Sequence, residues 1–114
     1  MRFLMTYTAK VQDHTPEKSA AIDKLVAENI KAGILLDTGA ILGLGSGGRG
    51  TLDRGNFVLS NGPYSASEEA FVGYAIVQVR DRAEAAEHAR RFMMIAGDGE
   101  CEIRQLMGPS DGMP

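Results

Sequence analysis

Asn56-Phe57-Val58-Leu59-Ser60, Asn61-Gly62-Pro63-Tyr64, Ser65-Ala66-Ser67-Glu68-Glu69-Ala70 and Phe71-Val72-Gly73-Tyr74-Ala75-Ile76-Val77-Gln78-Val79 form one continuous stretch in which two β-rich apolar runs flank a polar connection. Its Asn-Gly-Pro core reads as a turn, because glycine accepts positive φ while proline fixes its own φ and donates no hydrogen bond. The two runs read as the third and fourth strands of a sheet, and the turn between them presents polar side chains from a rigid base. Along the fourth run Phe71, Ala75, Val77 and Val79 alternate with Val72, Tyr74 and Ile76, so both sides are apolar. A strand of that kind calls for cover on both faces.

Outward from this stretch the pattern is regular on both sides. Residues Arg2 to Ala9 alternate as a first strand, with Phe3, Met5 and Tyr7 on one face and Leu4, Thr6 and Thr8 on the other. Thr15, Pro16 and Glu17 are a helix start signal; Ile22, Leu25, Val26, Asn29 and Ile30 then recur at helical spacing, and Gly33 ends the helix. Ile34-Leu35-Leu36 and Ala40-Ile41-Leu42 read as a second strand, interrupted or bent at Asp37-Thr38-Gly39. Residues 43–55 carry glycine at 43, 45, 47, 48, 50 and 55 and read as an irregular loop. Downstream, Asp81-Arg82-Ala83-Glu84 fits a capping box, followed by a helix striped with Ala85, Ala86, Ala89, Phe92 and Met93. Gly97-Asp98-Gly99 is a turn, and Glu100 to Arg104 alternates as a half-buried last strand.

Read as strand, helix, strand, strand, helix, strand, the chain predicts an α+β domain over residues 1–108. The arrangement is the ferredoxin-like βαββαβ sandwich, a four-stranded antiparallel sheet with both helices on one face. Residues 109–114 have no pattern and read as a flexible tail. The face without helices is apolar, and a symmetric homodimer through that open face is the expected cover.

The 114 residues suffice for one core. Hydrophobic residues at 44% and charged residues at 24% are globular values that exclude a disordered or fibrous chain. Twelve Lys and Arg scattered among fifteen Asp and Glu leave a net charge of -3, which argues against a nucleic-acid surface. The amino terminus is too short in its apolar part for a signal peptide and too polar beyond it for a membrane span, so the expected compartment is cytoplasmic. Cys101 is alone, which excludes an internal disulfide and a multi-thiolate metal site within one chain. No metal and no cofactor are expected. Gly43-Leu44-Gly45-Ser46-Gly47-Gly48 matches G-x-G-x-x-G, but residues 49–55 do not form the helix whose amino terminus that motif needs.

Asn61-Gly62-Pro63-Tyr64, then Ser67 and Glu69, then Val72-Gly73-Tyr74 resemble the DGPF branch of the YCII-related family, whose members show Asp-Gly-Pro-Phe, Ala-Glu-Ser/Thr-Lys-Glu, and Gly-Gly followed by an aromatic. Lys31 to Leu36 and Glu102 to Gln105 are similar to the end of the family's first helix and to its last strand. The resemblance implies a small ferredoxin-like domain that dimerises into an α/β barrel, of undefined activity in most members. Some relatives carry a His and Asp pair regarded as an active site. Here the turn Asp is replaced by Asn61, whose amide cannot act as a general base; Ala66 and Glu68 stand where the family has Glu and Lys; and His14 lies before the first helix rather than in it.

The candidate catalytic residue is therefore His14, because imidazole titrates near neutrality and a strand-to-helix loop can stand at a cleft rim. The candidate ligand-binding residues are Tyr7, Arg49, Asn61, Tyr64, Ser67 and Tyr74, with the tyrosines as walls, Asn61 at the rim and Arg49 in a glycine-rich anion-binding lid. His88, between Glu87 and Arg90, reads as solvated. Three readings stay open: a homodimeric small-molecule-binding protein with a pocket between sheet and loops, a lyase- or isomerase-like enzyme on a small aromatic or carboxylated substrate, and a ligand-free interaction module.

Overall fold

Strand β1 (Arg2–Ala9), helix α1 (Pro16–Lys31), strands β2 (Leu35–Ile41), β3 (Arg49–Asp53), β4 (Asn56–Ser60) and β5 (Val72–Gln78), helix α2 (Arg82–Ala96) and strand β6 (Gly99–Leu106) follow one another in a computed structural model that describes residues 1–111. The fold is α+β. Four strands form an antiparallel sheet in the order β2-β5-β1-β6, and β3 pairs with β4 in a separate two-stranded sheet. The central register sets Phe3 opposite Val77 and Met5 between Ala75 and Ile103, so these side chains share one face. Both helices lie against that face.

The helix boundaries follow their caps. The Thr15 hydroxyl accepts the Lys18 amide at 3.1 Å with Pro16 in the first turn, and beyond the last turn Gly33 takes φ +75°, a conformation that favours glycine. At α2 the Asp81 carboxylate accepts the Glu84 amide at 2.8 Å. The expected capping box is only half made, because the Glu84 carboxylate turns outward to the Arg80 guanidinium at 2.6 Å instead of reaching back. That ion pair holds the Glu84 carboxyl below its usual range.

The core is small. Phe3, Met5, Val77, Val79, Ala85 and Ala89 are its buried members, and α2 approaches the sheet closely because its inward stripe is alanine. Helix α1 buries no residue, since Ile22, Leu25, Val26 and Asn29 stop half-buried and Ile30 is exposed. The opposite sheet face, with Leu4, Thr6, Val72, Tyr74 and Ile76, has no helix over it.

Two sequence expectations are corrected. Strand β4 is not a member of the main sheet next to β5, and residues 49–53, expected within an irregular loop, are its strand partner. The physical reason lies at Arg54-Gly55, where φ values of +50° and +84° make a two-residue turn of the kind that matches the twist of paired strands. Glycines 48 and 50 hid the alternation, because they are the seats for Leu59 and Phe57 rather than breaks in the strand: a Cβ on Gly50 would meet the Phe57 ring at 2.7 Å. Secondly, β2 is not interrupted at Asp37-Thr38-Gly39; of the two expectations there, interruption or bend, the register shift between Leu35 and Asp37 is of the kind that bends a strand. At the other terminus Pro109–Asp111 make a 3-10 turn in which the Asp111 carboxylate accepts the Gly108 amide at 2.7 Å and pairs with Arg2 at 3.4 Å. Residues 112–114 of the expected tail lie outside the described residues. Among the described residues no helix is long and apolar enough to cross a membrane.

Candidate functional site

The helix-covered layer is hollow. Between α1, α2 and the sheet lies a cavity of about 270 Å³, bounded on the sheet by Ala75, Gly73 and Cys101 and on the helices by Val26, Phe92 and His88. Small residues explain it, since Gly73, Ala75 and Ala89 put little volume where α1 stands away from the strands. The space is apolar over most of its wall.

His88 is the exception, and the sequence reading placed it wrongly. Its flanking charges suggested solvent, yet three residues after Ala85 and four before Phe92 it falls on the inward stripe of α2 and lines the cavity. Its Nδ1 is buried and, among the described residues, has no hydrogen-bond partner. A polar atom in that state costs on the order of 1–3 kcal/mol until something pairs with it. The helical spacing alone could have found it. Cys101, half-buried on the facing strand, has a thiol pushed up chiefly by burial and then by Glu102, so it stays protonated.

The residues singled out from sequence fall into three groups. Tyr7 is on the helix-covered face, packed edge-to-face on Phe92 with ring centres 5.2 Å apart. Its hydroxyl donates to the Gly97 and Asp98 carbonyls at 2.8 and 3.2 Å, and burial, then Asp98, raises its pKa. His14 comes near it: both rim a second hollow of about 170 Å³ with Lys18 and Phe71. His14 is solvent-exposed, and its Nε2 lies 3.2 Å from the Gln12 side-chain oxygen.

Tyr74 is on the other side of the sheet. It sits opposite Gly39, whose missing side chain makes room for the ring, and its hydroxyl donates to Asp37 Oδ2 at 3.1 Å, a bond that raises its pKa. Register puts Tyr7 and Tyr74 on opposite faces of the sheet, yet both border the cavity between the helices and the sheet.

Arg49, Tyr64 and Ser67 gather in a third place. The Arg49 guanidinium lies 5.6 Å from the centre of the Tyr64 ring and pairs with Glu68, while Tyr64 donates its hydroxyl to the Ser60 carbonyl. Ser65 and Glu68 cap one another, with Ser65 N–H to Glu68 Oε1 at 2.9 Å and Glu68 N–H to Ser65 Oγ at 3.2 Å, and the Ser67 hydroxyl is 3.2 Å from that of Ser65. Among the described residues the Asn61 amide makes no hydrogen bond; the Ser60 hydroxyl accepts the Gly62 amide instead, at 3.3 Å. The anion lid expected of the glycine-rich stretch is occupied from within. Glu69 takes the Gly45 amide, and a Cβ on Gly43 would meet the Glu69 carbonyl oxygen at 2.6 Å, so these glycines serve the close docking of two loops.

Among the described residues no group of three His, Cys, Asp or Glu is placed to hold a metal ion. No protein-family model matches the chain, and no curated protein matches it.

Proposed function

We propose that this chain is a homodimeric small-molecule-binding protein of the YCII-related, DGPF-branch type, with a ferredoxin-like fold, and that the ligand enters the space between the helices and the sheet. The observation that carries the reading is an apolar cavity of about 270 Å³ lined in part by His88, whose buried Nδ1 has no hydrogen-bond partner among the described residues. An engineered apolar cavity of about 150 Å³ is enough for benzene, so this one is the size of a single substituted ring. A ligand with one hydroxyl or carbonyl on such a ring would pair His88 and cover the apolar wall together. The pocket so proposed differs in place from the one expected between sheet and loops. Binding is preferred to turnover because His14 and Arg49, on which a catalytic reading would draw, lie on different elements, and Arg49 is held by Glu68. The strand order β2-β5-β1-β6, with both helices on one face, supports the ferredoxin-like assignment. The uncovered apolar face supports the dimer.

Titration with phenol, followed by the ring-nitrogen resonances of His88, tests the site. The expected outcome is saturable binding that shifts those resonances, with toluene binding more weakly and His88→Phe removing the preference for phenol. If neither probe saturates at millimolar concentration while the protein stays folded, the cavity is not a ligand site.

A further inference from the structure

We infer that the β3-β4 hairpin is a clasping arm that closes its apolar face on a second copy of this chain. In the hairpin Gly50 stands opposite Leu59 and Leu52 opposite Phe57, which puts Leu52, Phe57 and Leu59 on one face and Arg49, Thr51 and Asp53 on the other. That apolar face is bare: Leu52 is 70%, Phe57 67% and Leu59 52% exposed. Among the described residues no helix and no other strand packs substantially on the hairpin, and a lone two-stranded ribbon is marginal in water. The molecule measures 48 × 39 × 20 Å with a radius of gyration of 16.7 Å, against about 13 Å for a compact chain of this length. Something outside the chain covers the arm.

Each copy offers two apolar surfaces with no helix over them, the exposed arm and the open sheet face on which Leu4, Val72 and Ile76 are half-buried, so a two-fold pair gives every arm a receiving face and leaves none over. Leu52, Phe57 and Leu59 expose roughly 400 Å² per arm; two arms and what they cover then bury about 1,600 Å², the size of a standard specific interface. The inference rests on the dimer proposed above. It adds which element holds the dimer together.

The chain has no tryptophan, so Phe57→Trp is a single fluorescent reporter on the arm. Expected is a blue-shifted indole at concentrations where sedimentation reads twice 12.2 kDa, moving on dilution to the emission of a hydrated indole as the mass falls by half. The triple variant Leu52→Ser, Phe57→Ser, Leu59→Ser alters only exposed positions and is expected to stay folded with a dissociation constant raised at least 100-fold. A triple variant that dimerises as tightly as the parent overturns the arm while leaving a sheet-to-sheet dimer standing. A parent that stays monomeric at tens of micromolar overturns both. A blue-shifted indole that ignores dilution assigns the arm's cover to its own chain and also overturns the inference.

Discussion

The helix-covered layer and the β3-β4 hairpin are built from the same alternation of apolar and polar residues, and they end in opposite conditions. In the first, Phe3 and Val77 are each 3% exposed because two helices of the same chain close over them. In the second, Phe57 is 67% exposed because, among the described residues, no helix or strand outside the hairpin packs over it. Amphipathic patterning therefore says that a face will be covered, but not by what. Even the covered layer is incomplete, since α1 stands off far enough to leave a cavity.

The largest expected effect separates these two regions directly. Phe3→Ala should lower the unfolding free energy by about 3–5 kcal/mol in urea, while Leu52→Ala, measured on dilute monomer, should change it by less than about 0.5 kcal/mol. Equal losses would mean that the arm is packed within its own chain. Next in size, Asp81→Ala removes the acceptor for the Glu84 amide and should cost about 1 kcal/mol, with hydrogen exchange quickening first at the start of α2.

A smaller effect tests the hollow itself. Ala75→Leu adds volume to a wall of the cavity, so its cost should fall below the roughly 1–3 kcal/mol of overpacking a filled core, and phenol binding should be lost. A full overpacking penalty would show that the layer is already closed. The smallest effect lies on the outer side of α2, where Arg90 at 2.7 Å, joined by Arg91, holds the Glu87 carboxyl down to about 2. Because the folded pKa is below the unfolded one, this contribution is present above about pH 5 and is lost as the pH falls towards 2. All three groups are exposed, so the acid-side fall in the urea midpoint should be slight. It should vanish in molar salt and in Glu87→Gln.

Much of the fold was legible beforehand for identifiable reasons. Thr15-Pro16, Gly33 and Asp81 mark helix ends through their own side chains or φ preferences, so local sequence suffices to find them. Strand β3 was not legible, because Gly48 and Gly50 carry no side chain to show the alternation that Leu59 and Phe57 complete from across the hairpin. The candidate site was less legible still. Tyr7 and Tyr74 look equivalent in sequence, yet opposite parity along antiparallel neighbours sends them to opposite faces of one sheet. His88 was concealed by its neighbours, Glu87 and Arg90, which point away from it around the helix.

By itself the sequence determined where the two helices begin and end and how β1, β5 and β6 alternate, because caps, turn residues and periodicity act within a few residues. Only the tertiary structure decided which apolar faces meet. That choice depends on how close α1 can come to the sheet, on which strand β4 can reach across a two-residue turn, and on where small residues leave room, and these distances are set by parts of the chain far apart in sequence.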